Sequence, residues 1–312
     1  MTKQQALLTL AIPTYNRAGY LDRQLSWAAA SIGEQWDGCE LIVSDNASTD
    51  STPEVCAKWK ARLGDHLTVY RQGTNIGSGL NFCFCLQHAK GSYVWLIGDD
   101  DVIYPKAVLA VLGILRQSSD LGVVLLNFRT TDNYGGPVIA SQVYPCTETM
   151  WAFPGKDLFL RCLQQNENAM LLITAGIVRT TLAVESIAYW PRVHQNTALA
   201  TYIRGYAAIR SGMALTADTF LDYPLGSGNL SRWLVTVFYH IPEVYLRLIK
   251  LGFDAPHLRR LILDRAAFLT FMWRFPLDFA RSLGVYLQVA RMREWSSDSK
   301  TGSEPPMSNL SQ

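Results

Sequence analysis

The sequence lacks any hydrophobic stretch long enough to cross a membrane as one helix. Such a span needs about 18 or more consecutive apolar residues, and nothing in the 312 residues reaches that length. The first residues lead into a strand-like segment without the apolar core of a signal peptide. We therefore expect a cytoplasmic protein without a transmembrane anchor.

Cysteine and charge are also sparse. The six cysteines contain no CxxC pair and no spacing typical of a disulfide framework, so they predict reduced and mostly buried thiols. Charged residues make up 17% of the chain and the net charge is +2. This balance excludes a strongly basic nucleic-acid-binding protein, and no nucleic-acid partner is expected.

The few charges are unevenly distributed. Residues 1–230 carry 17 lysines and arginines against 19 acidic residues, whereas residues 231–293 carry 10 against 4. Aromatic residues interleave with these later arginines, and residues 231–295 predict a basic, amphipathic helical region. Such helices suit peripheral contact with the inner face of a membrane. They equally suit packing against the rest of the chain or formation of a homo-oligomer, and both interpretations are open.

Proline positions predict where the C-terminal helices break, and polar composition predicts where the helical region ends. Two or three helices are expected in the basic region, with breaks near Pro242, Pro256 and Pro276. The polar residues 296–312, which include two adjacent prolines, predict a disordered tail.

Strand-like and helical patterns alternate in residues 1–125. The predicted strands cover residues 7–12, 41–44, 67–70, 93–97 and 123–126. This alternation predicts βαβ units and a mostly parallel α/β sheet flanked by helices. For residues 126–230 the pattern is less regular, with predicted helices over 156–163 and 198–210 and predicted strands over 171–178 and 214–223.

Four polar loops follow the predicted strands, over residues 13–17, 45–50, 73–79 and 98–101. Parallel strands end at one edge of their sheet, which is where ligands bind in such folds. The loops should therefore converge on one site.

The last of these loops holds three adjacent carboxylates, Asp99, Asp100 and Asp101, directly after Gly98. Hard oxygen ligands in a short turn suit Mg²⁺ or Mn²⁺, which commonly bridge to substrate phosphates. A solvated acidic turn that caps the helix near Pro105 is the alternative.

The loops in this order resemble family 2 glycosyltransferases of the GT-A fold. The matching segments are Ala11-Ile12-Pro13-Thr14-Tyr15-Asn16-Arg17, residues 41–50, Thr74-Asn75-Ile76-Gly77 and residues 96–101. The resemblance is strong over residues 5–125 and weaker over 155–225. It suggests bacterial enzymes of O-antigen or capsule polysaccharide synthesis, with a nucleotide-binding part over 1–125 and an acceptor side over 126–230.

The resemblance implies a nucleotide-diphosphate sugar donor, Mn²⁺ or Mg²⁺, and inversion at the anomeric carbon. It assigns donor binding to the following residues: Pro13, Thr14, Tyr15, Arg17, Asp45, Asn75, Gly77, Asp99 and Asp100. It assigns the metal to Asp99 and Asp101 and counts Asp100 as catalytic. Asp45 would accept a hydrogen bond from the base. Local turn or capping roles for Asp45, Arg17 and Gly77 are the alternatives.

An inverting transfer also needs a base for the acceptor hydroxyl. Relatives usually carry it in a Glu-Asp pair before a helix of the second half, and this sequence lacks that pair. The corresponding segment is 190–197, where His194 is our candidate base because imidazole accepts a proton near neutral pH. Asp157, Glu185 and Asp222 are alternatives.

The expected acceptor is a glycan, and a lipid-linked saccharide fits the basic helices. Three other functions are alternatives to this one. Transfer of a sugar to polyprenyl phosphate is the nearest alternative, and a non-catalytic subunit that binds sugar nucleotides is another. A nucleotidyltransferase would normally show an N-terminal Gly-rich loop with Arg and Lys, which is absent here.

Overall fold

The computed structural model describes residues 5–133, 135–225, 230–264 and 282–289. Within these residues ten strands form one sheet, with the order β3-β2-β1-β4-β9-β6-β10-β5 and with β7 and β8 beside β6 and β10. The strands are β1 (Leu8–Thr14), β2 (Cys39–Asp45), β3 (Leu67–Arg71), β4 (Tyr93–Leu96), β5 (Val102–Ile103), β6 (Leu121–Thr131), β7 (Val138–Ala140), β8 (Met150–Ala152), β9 (Gly176–Arg179) and β10 (Gly212–Pro224).

The sheet is parallel where the alternating pattern predicted it and mixed beyond. Strand β1 is buried along its whole length because it lies between the parallel strands β2 and β4. Strand β9 then runs antiparallel to both β4 and β6. In the register of β1, β2 and β3, Thr14 aligns with Asp45 and Asp45 aligns with Arg71. The predicted polar loops therefore begin at one edge of the sheet.

Helices pack against this sheet in two groups. The helices are α1 (Ala18–Ile32), α2 (Thr52–Leu63), α3 (Ser78–His88), α4 (Ala107–Gln117), α5 (Lys156–Gln165), α6 (Thr180–Tyr189), α7 (Leu199–Ala208), α8 (Leu230–Val235), α9 (Ile241–Lys250) and α10 (Ala255–Asp264). Helix α1 contacts α2 and α4, whereas α3 contacts α6, which packs on α7. The fold is the mixed, mostly parallel α/β sheet with C-terminal helices that the sequence predicted.

Two local predictions are wrong. The segment 171–178 was expected to be one strand, but 3-10 turns occupy Ala169–Leu171 and Ile173–Ala175, and only Gly176 onward joins the sheet as β9. Pro242 does not break the helical region. It lies in the first turn of α9, where a proline is tolerated, and a π-helical turn at Thr236–His240 joins α8 to α9.

Four aromatic residues of the basic region pack inward. Phe238, Tyr245, Phe253 and Tyr286 are buried, and Phe253 lies against Phe159 of α5 with ring centroids 5.4 Å apart. Trp233 is exposed. These contacts attach α9 and its neighbours to the rest of the fold.

Other expectations for the C-terminal part lie outside the described residues. These include the tail 296–312 and the helix break near Pro276. No helix in the described part of the chain has both the length and the apolar character needed to cross a membrane.

The cysteines agree with the prediction of reduced, inert thiols. All six are free, and Cys146 alone among them is more than slightly exposed. Burial raises the pKa of Cys39, Cys56 and Cys83 to about 11. A buried thiol with a raised pKa is a poor nucleophile or metal ligand.

Candidate active site

A cavity of about 680 Å³ opens at the edge of the sheet where the polar loops meet. Nine of the predicted site residues line it: Pro13, Thr14, Tyr15, Arg17, Asn75, Gly77, Asp99, Asp100 and Asp101. Its remaining wall includes Asn46, Asn81 and Phe82, and residues of the second half such as Leu171, Leu172, Ile173, Thr197, Ala200 and Tyr223. The separate loops thus form one site.

The loop after β1 is held by the loop after β2. Asn16 has a positive φ of 53°, and its backbone N–H donates to Ser48 Oγ at 2.8 Å. Its side-chain Oδ1 accepts the Thr49 N–H at 2.7 Å. Asparagine tolerates the left-handed region better than most residues. These bonds fix the direction in which Tyr15 and Arg17 leave the sheet.

Arg17 pairs with the carboxylate cluster. Its Nη1 lies 3.4 Å from Asp99 Oδ1 and also bonds Asp100. Although burial opposes the charge, the hydrogen bond to Asp100 and the nearby Asp99 raise the pKa of Arg17. The guanidinium offsets part of the repulsion between adjacent carboxylates. It stays about 42% exposed, so it can also reach an anionic ligand in the cavity.

Two threonines bind the cluster from opposite halves of the chain. Thr14 Oγ1 donates to Asp99 Oδ2 at 2.7 Å. Thr174 Oγ1 accepts the Gly98 N–H at 2.9 Å and donates to Asp101. Thr174 is fully buried in the segment that was predicted as plain strand, so nothing in the sequence pattern marked it.

Burial raises the pKa of two carboxyl groups of the cluster. It raises the pKa of Asp99 to about 6, against the opposing effects of Thr14 and Arg17. Burial also raises the pKa of Asp101, and the hydrogen bond from Thr174 opposes the increase. A cation placed against these groups would favour their charged forms.

These residues fit a divalent cation that also binds a ligand phosphate. Within the described part of the chain no three metal-binding side chains are already gathered as a closed site. Mg²⁺ is commonly held by one or two carboxylates together with substrate phosphates. Asp99 and Asp101 supply such carboxylates on the cavity wall.

The other end of the cavity is formed by asparagines. Asn46 Nδ2 donates to Asn75 Oδ1 at 2.9 Å, and Asn46 Oδ1 accepts the Ile76 N–H at 2.9 Å. Asn75 Oδ1 also accepts the Gly77 N–H at 2.9 Å. Gly77 has a φ of +86°, which favours glycine at this start of α3. Asn46 was not predicted as a site residue, although it lies inside the matched segment 41–50.

Asp45 lies behind this wall and is not among the cavity-lining residues. Its side chain is 1% exposed, and Oδ1 accepts the Ser48 N–H at 2.9 Å. Oδ2 has no hydrogen bond and lies 3.6 Å from Arg71 Nη1. One carboxylate oxygen therefore has no hydrogen bond, although it is buried behind the asparagine end of the cavity.

His194 also lies outside the cavity-lining residues. Its Nδ1 is 2.9 Å from the Pro191 carbonyl oxygen, and its backbone packs against the start of α3. Thr197, three residues later, lines the cavity instead. Its side chain contacts His240, a residue that the sequence reasoning did not consider.

The alternative bases do not line this cavity either. Asp222 accepts two hydrogen bonds from Arg129, at 2.7 and 2.8 Å, and this pairing lowers the pKa of Asp222. A carboxylate paired in this way is a weak base. Asp157 and Glu185 lie on α5 and α6 and are not among the residues that line the cavity.

Arg204 supports the cavity wall from inside the fold. It is 2% exposed, and its guanidinium donates to the carbonyls of Met170, Leu172 and Ile173 at 2.6–3.1 Å. Burial lowers the pKa of Arg204 to about 10. These bonds fix the turns that carry the lining residues Leu171–Ile173.

A second cavity of about 660 Å³ adjoins the carboxylates on the side of α1. Asp99, Asp100 and Asp101 border both cavities, so the cluster lies between them. Tyr20, Trp27 and Pro224 give the second cavity a largely apolar wall. Asp222, one of the alternative bases, also borders it.

Comparison with known proteins places this site in a family. The sequence model of Glycosyl transferase family 2 matches residues 9–171, which is just over half of the chain. Abequosyltransferase RfbV of Salmonella typhimurium is 37% identical over 118 residues, which cover 37% of this chain and 34% of that protein. The putative glycosyltransferase EpsE of Bacillus subtilis is 27% identical over 115 residues, 36% of this chain and 41% of EpsE. The chain therefore matches well under half the length of these curated relatives.

Solved structures share the fold over most of the chain. TarS residues 1–349 from S. aureus align with a TM-score of 0.63 and 17% identity, covering 92% of this chain and 81% of that one. The mannosyltransferase PcManGT from Pyrobaculum calidifontis, in complex with GDP-Man and Mn²⁺, aligns with a TM-score of 0.58 and 17% identity, covering 94% and 80%. At these identities the comparison demonstrates the fold.

Proposed function

Because this chain belongs to glycosyl transferase family 2, we propose that it transfers a sugar from a nucleotide-diphosphate donor to a glycan acceptor in the synthesis of a bacterial surface polysaccharide. The observation that carries the proposal is the single cavity in which the acidic cluster meets the loops after β1, β2 and β3. The similarity to an abequosyltransferase and the nucleotide sugars held by structural neighbours support it.

The two ends of the cavity would bind different parts of the donor. Pro13, Tyr15, Asn75 and Gly77 would border the nucleoside, and Asp45 would accept a hydrogen bond from the base once the wall in front of its buried Oδ2 opens. Glycine at position 77 lets the backbone approach the ligand closely.

The diphosphate would lie against the acidic cluster. Thr14 and Thr174 hold Asp99 and Asp101 in place, while the exposed Arg17 can turn from Asp100 toward a phosphate. Mn²⁺ or Mg²⁺ held by Asp99 and Asp101 would offset the charge that builds on the leaving diphosphate. Asp100 would bind the ribose or complete the ligand set.

We expect inversion at the anomeric carbon and a lipid-linked acceptor. The basic residues 231–293 favour an acceptor with an anionic carrier, and this contact would bring the enzyme to the inner face of the membrane. Polyprenyl phosphate as the direct acceptor fits the same charges, so the identity of the acceptor separates these two activities.

Nucleotide-dependent thermal stabilisation tests the donor site. UDP, GDP, CDP and dTDP are each added with Mn²⁺ to the wild type, to Asp101→Asn and to the control Asp65→Asn, which lies in an exposed turn away from the cavity. One nucleotide at about 100 times its Kd should stabilise the wild type and the control by about 2.7 kcal/mol. Asp101→Asn should lose most of this effect.

The same samples separate an enzyme from a binding subunit. The wild type should release the nucleoside diphosphate from the matching nucleotide sugar, with water as a slow acceptor. Stabilisation without any release would leave a non-catalytic binding protein. If no nucleotide stabilises the wild type, the donor site is disproved.

A further inference from the structure

We propose that His240 takes up, through the hydroxyl of Thr197, the proton that the acceptor loses during sugar transfer; this rests on the glycosyltransferase activity proposed for the chain. Thr197 would touch the substrate, and His240 would act through it. The inference assigns a role to the C-terminal helical region, from which no site residue was predicted.

Thr197 connects the cavity with His240. It is an exposed residue of the cavity wall, just before α7. Its Oγ1 lies 2.6 Å from His240 Nδ1, and its backbone N–H donates to the same nitrogen at 3.2 Å. A residue of the cavity wall thus contacts an imidazole from a distant part of the chain.

The hydrogen bonds fix the protonation of the ring. A backbone N–H can only donate, so Nδ1 must be the unprotonated nitrogen of a neutral imidazole. The Thr197 hydroxyl then shares the single lone pair of Nδ1 with that N–H as a second donor. Thr236 Oγ1, 2.7 Å from Thr197 Oγ1, becomes the donor to Thr197. Thr197 Oγ1 keeps a lone pair with which to accept a proton from a bound hydroxyl.

His240 is held in place by local backbone structure. It ends the π-helical turn Thr236–His240, and such turns inside helices are frequent at functional sites. Pro242 has no N–H to offer to the Phe238 carbonyl, which accepts the Tyr286 hydroxyl at 3.3 Å.

Asn196 adds two further bonds from the segment next to the cavity. Its Nδ2 donates to the His240 carbonyl at 3.1 Å and to Glu243 at 2.9 Å. Its Oδ1 accepts the Ala198 N–H at 2.8 Å. The amide is therefore fully used in tying the π turn to the start of α7, and it is unsuited to accept a substrate proton.

The proposed step balances in atoms and charge. The acceptor oxygen forms a bond to the anomeric carbon while the bond from that carbon to the diphosphate oxygen breaks, and the electron pair leaves with the nucleoside diphosphate. The acceptor proton passes to Thr197 Oγ1 as the Thr197 proton passes to His240 Nδ1. The imidazole ends protonated and returns its proton to water.

Substitutions that separate hydrogen bonding from basicity test this role. His240→Asn retains an oxygen that can accept from Thr197 but takes up no proton, and His240→Ala removes both abilities. Thr197→Val removes the hydroxyl at constant shape, and Thr197→Ser retains it. His66→Asn, in an exposed turn beside Trp36, is the control. UDP-GlcNAc, UDP-glucose, GDP-mannose and dTDP-rhamnose with Mn²⁺ are the donors, and released nucleoside diphosphate is measured with water as acceptor.

We expect donor-dependent stabilisation to be unchanged in all variants. Turnover should fall by about 10²–10⁴-fold in His240→Ala, His240→Asn and Thr197→Val, the usual range for loss of general-base assistance. Thr197→Ser and the control should stay within about threefold of wild type. Added imidazole should restore part of the turnover of His240→Ala and leave the wild type unchanged, which a purely structural role would not produce.

Other results would overturn the role of His240 or the proposed function as a whole. Turnover of His240→Asn close to wild type, or a loss in His240→Ala that imidazole does not relieve, overturns the role of His240 while leaving the glycosyltransferase intact. A wild type that binds and cleaves none of the donors overturns the proposed function and this inference with it.

Discussion

The two ends of the cavity are built in different ways. Residues 5–131 contribute side chains that directly follow the adjacent parallel strands β3, β2, β1 and β4, so these side chains lie along one edge of the sheet. Residues 135–225 contribute side chains from 3-10 turns, from the start of α7 and from β10, which meet only after folding. The end proposed to hold the nucleotide is a property of the sheet, whereas the other end is a property of the packing.

The two regions nevertheless hold the acidic cluster jointly. Thr14 of β1 binds Asp99, and Thr174 of the second region binds Asp101. Between them α3 of the first region packs closely on the turn Val193–Gln195 of the second. The comparison can be tested at three places: this contact, the two threonines and the Arg129–Asp222 ion pair.

The largest effect is expected where α3 meets that turn. A Cβ at Gly79 would lie 1.9 Å from the His194 carbonyl oxygen, so Gly79→Ala must displace one region from the other. We expect the free energy of unfolding to fall by about 2–3 kcal/mol. Urea unfolding measures it.

Gly113→Ala is the matched control. A Cβ at Gly113 meets nothing within 4 Å in the middle of α4. The same substitution there should raise the free energy of unfolding by about 0.5–1 kcal/mol, since alanine favours helix. Equal effects at the two glycines would contradict the close packing of α3 on the second region.

An intermediate effect is expected at the threonines. Thr14→Val and Thr174→Val each leave one carboxylate without its hydroxyl donor. Each should weaken nucleotide binding in the presence of Mn²⁺ roughly tenfold, or about 1.4 kcal/mol. Calorimetric titration with the nucleotide that stabilises the wild type measures the loss.

The serine variants Thr14→Ser and Thr174→Ser should bind nearly as well as wild type. If only Thr14→Val weakens binding, the second region does not help to hold the cluster.

The smallest effect is expected at the Arg129–Asp222 pair. The hydrogen bonds from Arg129 lower the pKa of Asp222 in the folded state, so the folded protein binds fewer protons than the unfolded chain at acidic pH. The pair therefore stabilises the fold above the unfolded pKa of about 3.9, and this contribution is lost as the pH falls below it.

Asp222→Asn should lower the free energy of unfolding by about 0.5–1 kcal/mol at pH 7. The difference from wild type should shrink as the pH is lowered toward 3. Urea unfolding at a series of pH values measures it, and a difference that grows on acidification would reverse the assigned sign.

The sequence predicted the first region well because both of its signals are local. Short apolar segments that alternate with helical patterns give β1 to β4, and the polar loops must begin where those strands end. Asp99, Asp100, Asp101, Thr14 and Arg17 could therefore be assigned to one site. Asp45 was assigned to the same site, and the structure places it behind the wall because its side chain folds back onto the Ser48 N–H.

The second region escaped prediction because its signals are not local. Thr174 looks like one more residue of an apolar segment, and its role depends on where the 3-10 turns place it against Gly98. His194 is conspicuous in the sequence, yet the turn Val193–Gln195 directs its ring to Pro191. His240 lies 43 residues beyond its partner Thr197, a distance over which no pattern connects two residues.

By itself the sequence determined the α/β class, the family, the acidic cluster and the edge of the sheet at which it lies. These follow from periodicity, from short motifs and from the geometry common to parallel sheets. Only the tertiary structure decided which side chains complete the cavity, which carboxylates are paired and which histidine contacts a residue of the cavity wall. Those outcomes depend on contacts between residues far apart in the chain, and such contacts are settled by packing and burial of the whole fold.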